Sequence, residues 1–230
     1  MRRNLWVAAL VGVVTVTTWF AARAAVGPTA GGDGTYSLST ARIDKTGAMV
    51  VQESGGAYGE ASLRGLTFVA AEQGTGVAPG TALGTTACYV LYNPAGNTFR
   101  YRIQKVRVGY ISGTLGAGTL YHCALKTSTQ TAPSGGTALT TLCLDVGNGS
   151  VGTGLARVGA TVVQPVAIGP LCSFQASLAT TAADPWQIVE DVRAEIVIEP
   201  GCTYQLQGVT AAGTSPLVSP SVTWTEEPIK

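Results

Sequence analysis

"FRYRIQKVRVGYIS", residues 99–112, decides the fold class of this chain. Tyr101 and Ile103 alternate with Arg100 and Arg102, and Val106, Val108 and Tyr110 alternate with Arg107 and Gly109. Successive side chains of a strand point to opposite faces, so each half predicts a strand with one apolar face. The two halves are out of phase between Ile103 and Val106. One extra residue there suits a β-bulge. Arg100, Arg102, Lys105 and Arg107 then lie on a wet face. A nucleic-acid groove would carry more charge and several aligned aromatics, so no nucleic-acid partner is expected.

The same pattern continues on both sides. Leu66–Ala71, Thr85–Tyr92, Thr119–Lys126, Thr137–Val146, Gly154–Val163, Val166–Ser177, Trp186–Glu199, Thr203–Thr210 and Ser221–Glu226 read as strands, with a short one at Ala48–Glu53. Turn clusters separate them, among them Asn93-Pro94-Ala95-Gly96-Asn97, Pro133-Ser134-Gly135-Gly136 and Gly147-Asn148-Gly149-Ser150. Many short strands with turn signals between them predict a sandwich or barrel. No stretch holds a helical period over three turns. Gln187–Ile198 comes nearest, but Val192, Ala194, Ile196 and Ile198 alternate with their neighbours and predict a strand. No fixed-period repeat is present, which disfavours a propeller or solenoid.

Of the 230 residues, 46% are hydrophobic and only 12% charged, with a net charge of +1. About a quarter charged is usual for a soluble domain. Weak self-repulsion favours association, so a homo-oligomer or a lattice is expected. Cys88, Cys123, Cys143, Cys172 and Cys202 are widely spaced, odd in number and form no CxxC. They read as small core residues, with a cross-strand disulfide left open.

The N-terminus, "MRRNLWVAALVGVVTVTTWFAARAA", carries Arg2 and Arg3, an apolar run and an Ala22-Arg23-Ala24 cleavage-like pattern. Three readings stay open: a signal-like sequence, a membrane anchor through residues 1–25, or an apolar arm buried against a neighbouring subunit. Thr15, Thr17 and Thr18 weaken the membrane reading, and Val13, Val14 and Val16 favour strand over helix. Residues 31–65 hold eight glycines and no helical pattern, which suits an extended arm that pairs with a partner's edge. The expected organisation is an apolar segment at 1–26, a Gly-rich arm with short strands at 27–84, and a β-sandwich at 85–230.

Catalytic constellations are weak. His122 is the only histidine, beside Cys123, and adjacent strand residues face opposite ways, so a Cys–His nucleophile pair is not expected. One imidazole is also too few for a histidine metal site. Glu195 and Glu199, four residues apart on one strand, would stand about 13 Å apart, too far for paired glycosidase carboxylates. Asp145–Ser150 lacks the alternating acidic ligands of a calcium loop and reads as a turn. Gly113–Gly118 has no following helix and is no phosphate loop. Trp6, Trp19, Trp186 and Trp224 are scattered and read as core or interface anchors. No catalytic, cofactor-binding or metal-binding residue is assigned, no cofactor is expected, and the protein is expected not to be an enzyme.

Gly32-Asp33-Gly34, Arg42, Thr46-Gly47, Val50-Val51, Gly56-Ala57-Tyr58-Gly59-Glu60-Ala61 and Asn93-Pro94 carry a resemblance. Over about half its length the chain resembles a group of tailed-bacteriophage virion structural proteins. The resemblance implies a jelly-roll-like β domain and a capsid decoration (cement) role. It further implies the major capsid protein or other virion subunits as partners, trimers as a common state, and a virion location after assembly in the host cytoplasm. The apolar residues 1–25 depart from that pattern. They keep a second reading open, an exported or membrane-anchored bacterial surface β-sandwich that binds glycan or protein.

Overall fold

The computed structural model describes residues 42–43, 49–50, 61–125, 131–174, 187–210 and 213–229. The chain divides into two units, residues 1–56 and 57–230. In the first, β1 (Arg42–Ile43) and β2 (Met49–Val50) pair antiparallel, Arg42 opposite Val50. The rest of segment 1–26 and of the arm before residue 61 lies outside the described residues, as do Trp6, Trp19 and Trp186.

The second unit opens with a helical turn at 61–63 and then holds β3 (Thr67–Ala71), β4 (Thr86–Tyr92), β5 (Phe99–Thr114), β6 (Gly118–Ala124), β7 (Thr137–Ala138), β8 (Thr141–Cys143), β9 (Leu155–Thr161), β10 (Val166–Phe174), β11 (Gln187–Asp191), β12 (Val197–Ile198), β13 (Thr203–Thr210) and β14 (Thr214–Pro228). They form two antiparallel sheets that pack against each other, an all-β sandwich as the alternation predicts. The first runs β10-β6-β13-β4-β9-β7. The second runs β11-β5-β14-β3-β8, with β12 also on β5.

The apolar faces meet between the sheets. Tyr89, Leu91, Leu120, Tyr204 and Leu206 come from the first, and Phe68, Ile103, Val106, Val108, Val222 and Trp224 from the second, all buried in one cluster. Trp224 is fully buried, with the Phe68 and Tyr101 rings each 6.2 Å away in tilted contact, as a core anchor should be.

The slip in residues 99–112 is a real bulge. Thr223 pairs with Lys105 but Trp224 pairs with Ile103, so Gln104 is the extra residue. Its carbonyl accepts from the Val192 and Arg193 amides, at 2.9 and 3.2 Å. Those amides belong to the break that divides the expected strand 186–199 into β11 and β12. Arg193 and Ala194 take φ of 53° and 65° there, left-handed values that end strand pairing. Glu195 thus lies in a turn and does not share a strand face with Glu199, contrary to the expectation from alternation.

Two more expectations change. The single strand over 137–146 is two, β7 on the first sheet and β8 on the second, so the chain crosses between layers at residues 139–140. Residues 61–84, assigned above to the arm, belong to the sandwich. β3 lies between β14 and β8 and sends Phe68 and Ala70 into the core. The Gly/Pro-rich loop after it is pinned: Val77 exchanges backbone hydrogen bonds with Val218, and the Gly208 amide donates to Pro79 O at 2.7 Å. A Cβ on Gly208 would sit 2.6 Å from that oxygen, so only glycine allows the approach. Gln207 continues the attachment, accepting from the Gly84 amide at 2.8 Å and donating to Gly84 O at 3.0 Å.

Candidate interaction surface

Three constellations bear on function. The first surrounds His122, on β6 facing the core. Its Nδ1 lies 2.6 Å from the Tyr204 hydroxyl and its Nε2 2.9 Å from Glu190 Oε2, which reaches over from β11 in the other sheet. An ionised carboxylate only accepts, so Nε2 carries the proton and donates to Glu190. Burial pushes the Tyr204 phenol well above its ordinary range and keeps it an O–H donor. Both ring nitrogens are therefore committed. Cys123 is engaged separately, its thiol donating to Tyr121 O at 3.7 Å and pushed up to about 11 by burial. The two neighbouring side chains thus have separate partners. Cys172, opposite Leu120 on β10, is also pushed up to about 11, chiefly by burial, so it is held as a thiol rather than a thiolate.

The second constellation was not anticipated. Glu226 is 3% exposed at the end of β14. Its Oε1 accepts from the Thr153 amide at 2.8 Å and the Trp224 indole at 3.2 Å, and its Oε2 from the Thr153 hydroxyl at 2.9 Å. Tyr101 OH lies 2.8 Å from Thr153 Oγ1, and Asn97 Nδ2 lies 2.8 Å from both oxygens. This network ties the 93–98 turn and the loop before β9 to the last strand. The signal was present in the alternation: Val222, Trp224 and Glu226 share a parity, so a strand that buries the first two turns the third inward.

The third constellation is a surface. β8 is an edge strand, paired with β3 on one side, Leu142 opposite Val69. Beside it runs an apolar groove of about 490 Å³, lined among others by Val69, Leu139, Leu142, Leu144, Val146 and Val151. Cys143 turns into the core while Leu142 and Leu144 stay 54% and 44% exposed, and Val146 and Val151 stay 91% and 75% exposed. Among the described residues, Asp145 is the one charged residue in the lining. These exposed apolar side chains stand together along one open strand edge, a combination that can receive a binding partner.

Each candidate read from sequence now has a place. Asp145–Ser150 forms a turn, with the Asn148 amide donating to Asp145 O, at the rim of the groove. Among the described residues no group of three or more His, Cys, Asp or Glu side chains is arranged to hold a metal ion. Gly113, in Gly113–Gly118, faces Ser215 across an irregular step of the β5–β14 ladder. Arg100 and Arg102 meet Glu199 and Glu227 at 3.6 and 2.7 Å. None of the five cysteines forms a disulfide. No helix among the described residues is long and apolar enough to cross a membrane. No family model, no curated protein and no solved structure matches the chain.

Proposed function

We propose that this protein is a structural component of a virion, a β-sandwich that binds and stabilises a capsid shell as a decoration-type subunit. The observation that carries the reading is the exposed apolar groove beside the open edge of β8, on a chain with few charges to oppose association. The resemblance of residues 32–61 and of Asn93-Pro94 to phage structural proteins supports it. The work is burial of surface between subunits: the body projects, and the N-terminal arm exchanges conformational entropy for apolar contacts and strand pairing. The partners are the major capsid protein or other virion subunits and further copies of the chain, with a trimer the arrangement the resemblance favours. The test is to purify particles from the producing cells and identify their subunits by mass spectrometry. Stoichiometric presence with Met1 or Arg2 at the N-terminus supports the reading; absence from particles ends it.

A second reading rests on Arg2-Arg3, the apolar run and Ala22-Arg23-Ala24. It is an exported or membrane-anchored surface sandwich that binds glycan or protein. N-terminal sequencing that finds Ala25 first supports export.

A further inference from the structure

We propose that the groove beside β8 is the receptor for residues Leu5–Thr18 of a second copy of this chain, added as a strand on the free edge. The inference rests on reading the N-terminal segment as a retained arm. Four observations lead to it. Among the described residues no strand pairs with β8 on the side away from β3, the standing invitation to strand addition. The groove flanking that edge is apolar, and Leu142, Leu144, Val146 and Val151 stand exposed along it. The chain outside the described residues supplies a matching segment: Asn4–Ala22 holds no charge, and Val7, Val11, Val13, Val14, Thr15 and Val16 favour extended backbone. Both faces of that segment are apolar, the composition of a strand covered on both sides. Charge agrees as well, since Arg2 and Arg3 precede the segment and Asp145 is the one charge among the described residues lining the groove. With a rise of about 3.3 Å per residue, β8 and Leu144 provide rails for roughly four to six residues of the added strand.

The experiment uses the full chain carrying a photo-crosslinking phenylalanine derivative at Val146, which is 91% exposed and contributes nothing to the core. Equal amounts of ¹⁵N-labelled and unlabelled protein are mixed, irradiated and mapped by mass spectrometry. Crosslinks from position 146 to residues 5–18, about half of them joining labelled to unlabelled chains, are expected. Crosslinks confined to chains of one label, crosslinks to another region, or none overturn the proposal. So does flotation of the chain with phosphatidylcholine vesicles while position 146 stays uncrosslinked, the outcome of a membrane anchor. As a second measurement, Leu144→Asp, confirmed folded by an unchanged thermal transition, is expected to weaken self-association at least tenfold by light scattering. Unchanged association overturns the groove assignment. Particles that take up Leu144→Asp at normal occupancy also overturn it while leaving the structural role standing. Wild-type chain missing from particles sinks the structural role and leaves the crosslinking result to stand by itself.

Discussion

Glu190 of the second sheet lies 2.9 Å from His122 Nε2 of the first, and Nδ1 of the same ring lies 2.6 Å from the Tyr204 hydroxyl. The contact joins the sheets by polar groups. His122 is 5% exposed, so its partners are left unsatisfied when it is removed. His122→Phe is expected to cost about 1–3 kcal/mol in chemical unfolding, the penalty for orphaned buried polar groups. Glu190, with a side chain 40% exposed, is screened by water, and Glu190→Gln is expected to cost less than about 1 kcal/mol. Adding Tyr204→Phe to His122→Phe should cost less than the two single changes summed, because both remove the same bond. Strict additivity would show that His122 does not organise the contact.

Gln104 is the residue the β5–β14 ladder does not pair. Deleting it leaves Tyr101, Ile103 and the following valines in regular alternation on the core side. The loss is then limited to its carbonyl contacts with the 192–193 turn and its side-chain bond to Thr225 at 2.9 Å. Deleting Arg102 instead turns Tyr101, fully buried, to the wrong face. The Arg102 deletion is expected to be the more destabilising by about 3 kcal/mol or more, as for loss of a buried aromatic. Equal midpoints in urea for the two deletions would contradict the bulge assignment.

Glu72 closes the turn after β3, accepting from the Gly74 and Thr75 amides at 2.9 Å each and from the Thr75 hydroxyl at 2.7 Å. Burial raises its pKa, but the hydrogen bonds from Thr75, Gly74 and Gly76 outweigh it and hold the carboxyl below its ordinary value. A carboxyl with a lowered folded pKa contributes stability that is present above its unfolded pKa. That stability is lost as pH falls through the folded value. Glu72→Gln should therefore lower stability at neutral pH and flatten the acid limb of the stability–pH curve below about pH 4.5. A parallel acid limb in the variant would show that Glu72 is not the titrating group.

The thiols should report opening of the sandwich. Burial pushes Cys88 up to about 12 and Cys123 up to about 11, and both are buried. At pH 8 the native chain is expected to alkylate first at Cys172 and Cys202, which are half-buried, while Cys88 and Cys123 react only on global unfolding. Rapid native labelling of Cys88 would mean that β4 is not held as described.

The strands were legible because local alternation reports which side of each strand meets the core. β13 matches its predicted span at both ends, and β3, β4 and β6 match within one or two residues. The slip at Gln104 was legible for the same reason. The break at Arg193 and Ala194 was not, since neither residue type announces a left-handed backbone. The division of 137–146 was also hidden, because Thr-Ala-Leu-Thr-Thr-Leu-Cys reads the same whether one sheet or two receives it. The groove needs that division: it exists because β8 joins the second sheet as an edge strand.

That this is a two-sided β protein is readable from the residues alone, since period-2 alternation sorts apolar side chains onto one face of a strand within a few residues. Tertiary structure alone decided which edges stay open and which polar groups are buried. Thr153 closes over Glu226 from 73 positions away, and Thr67 meets Thr225 across 158. Such pairings depend on how distant strands are brought together, which short-range pattern does not encode.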